Sequence, residues 1–131
     1  MIRDHQRAIT AEAHVRSVAA WAEAKDRKAY GAICMKLPVL VHQAGLTGAL
    51  HHVAQLSTEP KRKVLDHLAA QLVEAGLLKT ATTPTLLEHS RKDDTGNLIA
   101  TTREVQHCLE WYRRFSKTIL KASPTDEEDG E

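Results

Sequence analysis

Apolar and polar positions alternate along this chain with helical, not strand, spacing. Between about residues 4 and 27, Ala8, Ala11, Val15, Val18, Ala19 and Ala22 recur at three- and four-residue steps, which gathers them on one face of a helix. The other face collects Arg3, Arg7, Thr10, His14, Ser17 and Trp21. A tryptophan in such company is either packed under a neighbouring helix or kept for a partner. A second helix is expected from about Asp26 to Ala44. Pro38 lies inside it, and its ring clashes with the carbonyl of Cys34, so a kink or break is expected near Met35 to Leu37. Gly45 can take a left-handed conformation past the last turn, with Leu46 folding back as the hydrophobic partner of a Schellman cap. The same Ala-Gly-Leu recurs at Ala75, Gly76 and Leu77.

Between these stops, the spacing predicts helices from Thr47 to about Leu56, with Thr47 as N-cap, and from Pro60 to Ala75, with Ser57 or Thr58 as cap. The latter carries Val64, Leu65, Leu68, Leu72 and Val73 as its stripe. Thr83-Pro84 reads as an N-cap followed by proline at the first helical position, opening a short helix to about Arg91. Asp93 to Gly96 reads as a turn. The last helix begins between Thr95 and Thr101 and runs to about Lys121, and Thr101-Thr102-Arg103-Glu104 has the spacing of a capping box. Val105, Cys108, Leu109, Tyr112, Phe115, Ile119 and Leu120 form its apolar stripe, whereas Gln106, Glu110, Arg113, Arg114, Lys117 and Lys121 fall on or near the solvent side. No alternating run of β-branched and aromatic residues survives for even six positions. The expected fold is all-α: a compact bundle of five to six helices, the second kinked or broken at Pro38, ending in a long C-terminal helix.

Composition sharpens this picture. A chain of 131 residues suits one core, and its apolar residues are mostly Ala, Leu and Val, with two Trp, two Tyr and one Phe. Cys34 and Cys108 each sit in an apolar-periodic segment, as buried thiols do. The first residues lack the apolar stretch of a secretion signal and no eighteen consecutive apolar residues occur, so a cytoplasmic location is expected. The net charge of +1 conceals an asymmetry. Residues 1–121 hold all 18 Lys and Arg against 12 acids, a balance of +6, and five acids (Asp126, Glu127, Glu128, Asp129 and Glu131) follow. The division expected is one helical domain over 1–121 and a disordered acidic tail over 122–131.

Candidate chemistry is sparse. Glu104-x-x-His107 matches half of the carboxylate-bridged di-iron pattern, but the chain has no second Glu-x-x-His pair. Eight histidines occur without a His-x-x-x-His pair and without Cys-x-x-Cys, so the local scaffolding of a zinc site is missing. No Gly-rich phosphate loop or nucleophile elbow occurs. No catalytic residue, metal or cofactor is expected. The basic residues are more informative. Lys61-Arg62-Lys63 open a helix, where cations oppose the dipole, whereas Arg113, Arg114, Lys117 and Lys121 lie toward a C-terminus, where cations are favoured. That stripe therefore has a structural explanation as well as a possible role in contacting phosphates.

Two blocks resemble a known family. The first is Tyr30 followed by Lys36-Leu37-Pro38-Val39-Leu40-Val41-His42-Gln43-Ala44-Gly45-Leu46; the second is Thr102-Arg103-Glu104-Val105 followed by Glu110-Trp111-Tyr112-Arg113-Arg114-Phe115. Together they resemble the small α-helical subunit of the type III-B CRISPR RNA-targeting effector complex, the Cmr complex. His42, where a more basic residue is expected, and the acidic tail depart from the family's pattern. The resemblance implies a non-enzymatic subunit whose partners are the backbone and large subunits, further copies of itself, and the guide and target RNA. Carried over by residue, it implies that Lys36, Arg113, Arg114 and Lys117 contact RNA phosphates, which position a strand without reading its sequence. Trp21 and the helix edges around Leu46 are the expected protein contacts, since aromatic anchors dominate interfaces. Two other classes remain open. Val64 through Leu77-Leu78-Lys79 resembles the helix before the wing of a winged-helix DNA-binding domain, and a metal-binding helical bundle is the third.

Overall fold

A computed structural model describes residues 2–122 apart from 22, 57, 93 and 94. Five helices follow in order: α1 (Ile2–Ala19), α2 (Ala24–Gln55), α3 (Glu59–Glu74), α4 (Thr83–Lys92) and α5 (Thr95–Thr118). Among the described residues there is no strand. This excludes the β-hairpin that a winged-helix reading needs after Leu78, where the chain instead turns directly into α4. Most of the expected acidic tail, residues 123–131, and part of the expected turn at 93–96 lie outside the described residues.

The helices end where local chemistry and packing agree. The α3 terminus is a complete Schellman motif: Gly76 takes φ 80°, its N–H bonds the Val73 carbonyl at 3.0 Å, and the Leu77 N–H bonds the Leu72 carbonyl at 2.9 Å. Two expectations fail at α1 and α2. Helical propensity favours continuing α1 through Ala20 to Ala24, yet the helix stops at Ala19 and closes with i→i−3 bonds from Ala20 and Trp21. The turn sets the Trp21 ring edge-on to Tyr30 at 5.9 Å, and burial there outweighs a propensity worth only tenths of a kcal/mol, ~0.7 at most, per residue. No interruption occurs at the expected Pro38, whereas the stop expected at Gly45 is there, the one position inside α2 with non-helical dihedrals (φ 79°, ψ 165°). Proline already carries a helical φ, and the chain keeps helical geometry around it at the loss of one donor. The Gly45 conformation is open essentially to glycine alone, so it divides α2 into two limbs and gives six helical segments from five helices.

Capping also differs from expectation. Thr82, not Thr83, caps α4 by accepting the Thr85 N–H at 3.3 Å, while the Thr83 hydroxyl donates to Asp66. Thr47 spends its hydroxyl on the Ser90 carbonyl at 2.9 Å, tying α2 to α4. Thr58 occupies the N-cap of α3 without a side-chain bond, and Pro60 sits in the first turn.

The core lies where α2 packs on α5 and α3, and α1 covers α5. Its largest fully buried side chains include Tyr30, Tyr112, Leu37, Leu50, Leu65, Leu68, Leu72, Leu86 and Leu109, with both cysteines among them as small apolar groups. By length and composition α2 could cross a membrane, but it donates twelve buried residues to the bundle. α2 and α5 run antiparallel: Gly31 meets Ser116 and Leu120, and Gly45 and Leu46 face Leu98 and Thr102.

The tightest approach is at Gly31, where an added Cβ would stand 2.3 Å from the Cβ of Ala122. Helix propensity alone would make Gly31→Ala stabilising by ~1 kcal/mol. The packing reverses that sign: the expected outcome is a loss of about 1–3 kcal/mol in urea unfolding. Much of that loss is expected back in the Gly31→Ala, Ala122→Gly double variant. A rise in the unfolding midpoint of the single variant would refute the close approach.

Candidate nucleic-acid interface

The outward-facing basic residues of α5 are placed by what the helix does on its inward side. Glu104 is buried and takes a bidentate contact from Arg7, with Nε to Oε2 at 2.7 Å and Nη2 to Oε1 at 2.8 Å, and a third bond from Arg3 at 3.0 Å. The Arg7 hydrogen bonds, reinforced by Arg3, hold the Glu104 carboxyl down at about 2, below the usual 4.5. In return they raise the Arg7 guanidinium. Glu104 therefore does not serve as the acid of a capping box. α5 has already begun at Thr95, Thr101 is buried against His89, and the expected capping box is replaced by a clamp between α1 and α5.

One turn inward runs a stacked polar ladder. The Tyr30 hydroxyl meets His67 Nδ1 at 2.6 Å, the His67 and His14 rings stack at 4.0 Å within 7° of parallel, and His14 Nδ1 meets the Tyr112 hydroxyl at 2.6 Å. Gln71 adds bonds to Tyr112 and to the Arg7 carbonyl. Burial lowers His67 to about 3 and lowers His14, so both imidazoles are neutral and each shares a single proton with a tyrosine hydroxyl across its Nδ1. Burial likewise raises both tyrosines and pushes the Cys34 thiol up to about 12, which leaves no activated nucleophile there. Thr10 extends the seam outward to Glu74. The α1 face read as merely polar thus carries Arg3, Arg7, Thr10 and His14 into interhelical contacts, at the same three- and four-residue spacing that marks an apolar stripe.

With its inner face fixed, α5 presents cations outward. Arg113 and Arg114 both reach Glu110, at 3.2 and 3.7 Å, and their side chains are 43% and 57% exposed. The Arg114 guanidinium also lies 5.0 Å over the Trp111 ring, which stacks on Phe115 and donates its Nε1–H to Asp4 at 3.2 Å. Lys117 is exposed in the last turn. Lys36 is half-buried on α2, and the antiparallel register sets it level with the α5 turn that carries Arg113. These four residues therefore occupy neighbouring elements. Trp21 is half-buried and lines a groove of about 370 Å³ with Glu23, Asp26, Glu59, Pro60 and Lys63. Leu46 is only 3% exposed; it floors a shallow apolar groove whose outer wall is Ile99, 54% exposed. Leu46 supports that edge more than it offers surface.

Among the described residues no group of three or more His, Cys, Asp and Glu converges, and Glu104 is taken by two arginines while His107 points outward.

A family model described as CRISPR-associated protein (Cas_Cmr5) matches residues 3–119. The chain is 32% identical over 100 residues to the CRISPR system Cmr subunit Cmr5 of Thermus thermophilus, covering 76% of this chain and 82% of that one. The crystal structure of a CRISPR-associated Cmr5 family protein, also from Thermus thermophilus, superposes with a TM-score of 0.78 at 31% identity, covering 88% of this chain and 95% of that one.

The seam makes stability acid-sensitive. His67 binds protons near 6.5 when unfolded but only near 3 when folded, so its contribution is complete above 6.5 and is lost as pH falls toward 3. Glu104, depressed from 4.5 to about 2, adds a second loss as pH falls through that lower window. Urea midpoints are expected to drop steadily below pH 6.5, and His67→Phe is expected to flatten the slope between pH 6.5 and 4.5 while costing about 1–3 kcal/mol at neutral pH for the orphaned Tyr30 hydroxyl. A wild-type midpoint that stays level from pH 7 to 5 would show that the histidines are not buried neutral.

Proposed function

The chain belongs to the Cas_Cmr5 family of CRISPR-associated proteins, and from that premise we propose that it serves as the non-catalytic small subunit of a cytoplasmic type III-B Cmr ribonucleoprotein. In this reading residues 1–121 act as one packed unit. Copies of that unit stack beside the backbone filament, in contact with the other Cmr subunits. Lys36, Arg113, Arg114 and Lys117 face guide or target RNA and bind its phosphates. Trp21 and the edge around Leu46 and Ile99 meet protein neighbours.

The observation that carries the RNA assignment is the pairing of a clamped inner face with a cationic outer one. Glu104, Arg7 and Trp111 fix the rotation of α5 about its axis, so that Arg113, Arg114 and Lys117 project from a rigid support. A rigid support lowers the entropy lost when a phosphate is bound. The competition from Glu110 matters too. It neutralises the two arginines locally and holds their guanidinium groups in place, and exchange of a carboxylate for a phosphate on arginine is a small change for a planar fork of donors. Trp21 has a different role in this reading. Its ring is braced by Tyr30 and its carbonyl accepts a bond from the Arg27 guanidinium, so it is presented with little freedom left to lose.

Reconstituted complexes carrying Lys36→Gln, Arg113→Gln, Arg114→Gln and Lys117→Gln test the phosphate contacts. Affinity for target RNA is expected to fall, and the slope of log affinity on log salt to shrink by ~0.7 for each single-strand phosphate that the variant no longer neutralises. Affinity and slope at wild-type values would remove the assignment. In parallel, a Trp21→Ala protein is expected to enter complexes below full stoichiometry, and full occupancy would dismiss Trp21 as an anchor.

A further inference from the structure

The bend at Gly45 builds a groove that the reading above leaves without an occupant. On a straight helix Ile33 and His52 would stand ~28 Å apart at ~1.5 Å per residue. With the bend, the second limb of α2 returns toward the first, and the two limbs enclose a groove of about 340 Å³ lined by Ile33, Lys36, Val39, Leu40, Gln43 and His52. Val39 is 57% exposed there, an apolar side chain left in water, and Leu40 is half-buried beside it. Gln43 and His52 are exposed, and among the described residues neither makes a hydrogen bond. The volume is at the small end of the ~300–1,000 Å³ range of small-molecule pockets, which suits one flat heterocycle.

Charge selects the kind of occupant. After Asp26, α2 contains no carboxylate, and it carries Arg27, Lys28 and Lys36 together with His42, His51 and His52. The Trp21 groove is its opposite, with Glu23, Asp26 and Glu59 against Lys63. A polyanion is therefore repelled at Trp21 and accepted between the limbs of α2. Lys36 belongs to both the groove wall and the proposed phosphate-binding surface, so a strand neutralised there has a base within reach of the groove. An apolar floor, an imidazole face and an amide that both donates and accepts match the flat face and polar edge of an unstacked base.

We propose that this groove holds one unpaired nucleobase of the bound RNA, laid on Val39 and Leu40 with the His52 ring against it and the Gln43 amide at its edge, while Lys36 neutralises the adjoining phosphate. The inference rests on the RNA-facing assignment of Lys36 and adds to it a contact that carries no charge. Phosphate contacts weaken as salt rises, whereas an apolar and hydrogen-bonded base contact does not. Gly45 gains a role from this: its left-handed conformation places the two walls of a binding site.

Assembled complexes carrying 4-thiouridine in a uridine-rich guide, and separately in a uridine-rich target, test this, because on irradiation the thiocarbonyl base couples to side chains that it touches. Mass spectrometry is expected to map coupling from one strand to Val39, Leu40, Gln43 or His52. The double variant Val39→Ala, Gln43→Ala changes two exposed positions and no charge. It is expected to weaken binding of the strand that couples by roughly tenfold, about what one base contact contributes, with the slope of log affinity on log salt unchanged. Absence of coupling to the groove from both strands, or wild-type affinity in the double variant, would overturn the base site. The salt slope of Lys36→Gln then separates the two ideas. A reduced slope without coupling keeps the phosphate contact and leaves the groove to a protein neighbour, whereas an unchanged slope removes the RNA-facing assignment of Lys36 itself.

Discussion

A single buried carboxylate, Glu104, organises this bundle. Arg7 grips it with two bonds and Arg3 adds a third, which satisfies a charge that would otherwise be costly to take out of water. The clamp sets the azimuth of α5 against α1, and every outward residue of α5 inherits its direction from that setting. The neighbouring histidine and tyrosine ladder does the same for α2 and α3, because each of its four rings comes from a different helix. Small aliphatic side chains let helices slide with modest change in buried area. Directional bonds between fixed partners do not, and here they supply the register that Ala, Val and Leu leave loose.

The fold is largely legible from spacing. Helix number and order, the glycine stop at Gly76, the special conformation at Gly45 and the burial of both cysteines all follow from local chemistry that no tertiary contact overrides. Misreadings cluster where a residue has two possible partners. Pro38 predicts a break in α2, but the φ that its ring imposes is already helical and the non-helical dihedrals fall at Gly45. Glu104 satisfies the spacing of a cap, and only the approach of Arg7 from about a hundred positions away decides otherwise. Thr47 and Thr83 likewise trade a local cap for a bond to another helix. The polar face of α1 holds the clearest missed signal: Arg3, Arg7, Thr10 and His14 repeat at core spacing, which is what a second buried seam looks like when its contents are polar.

The proposed interface is legible in a different way. Motif resemblance names Lys36, Arg113, Arg114 and Lys117, and the habit of interfaces to use aromatic anchors names Trp21, all without geometry; the structure adds that Arg113 and Arg114 are braced by Glu110, Arg114 also by Trp111, and that Trp21 is braced by Tyr30. Leu46 shows the limit of such transfer. Its side chain turns into the core, and the surface beside it belongs to Ile99, a residue no motif marks. A protein of this kind works through its outside, so its interior matters by keeping that outside in a single shape.

The dependence on the Glu104 clamp is tested most directly by a double-mutant cycle in urea unfolding with Arg7→Met, Glu104→Met and the pair together. Each single change strands a buried charge and is expected to cost about 3 kcal/mol, while the double variant, with no stranded partner across that contact, is expected to recover much of the loss. Losses that simply add, with no coupling between the two positions, would contradict the clamp as the interaction that sets the bundle.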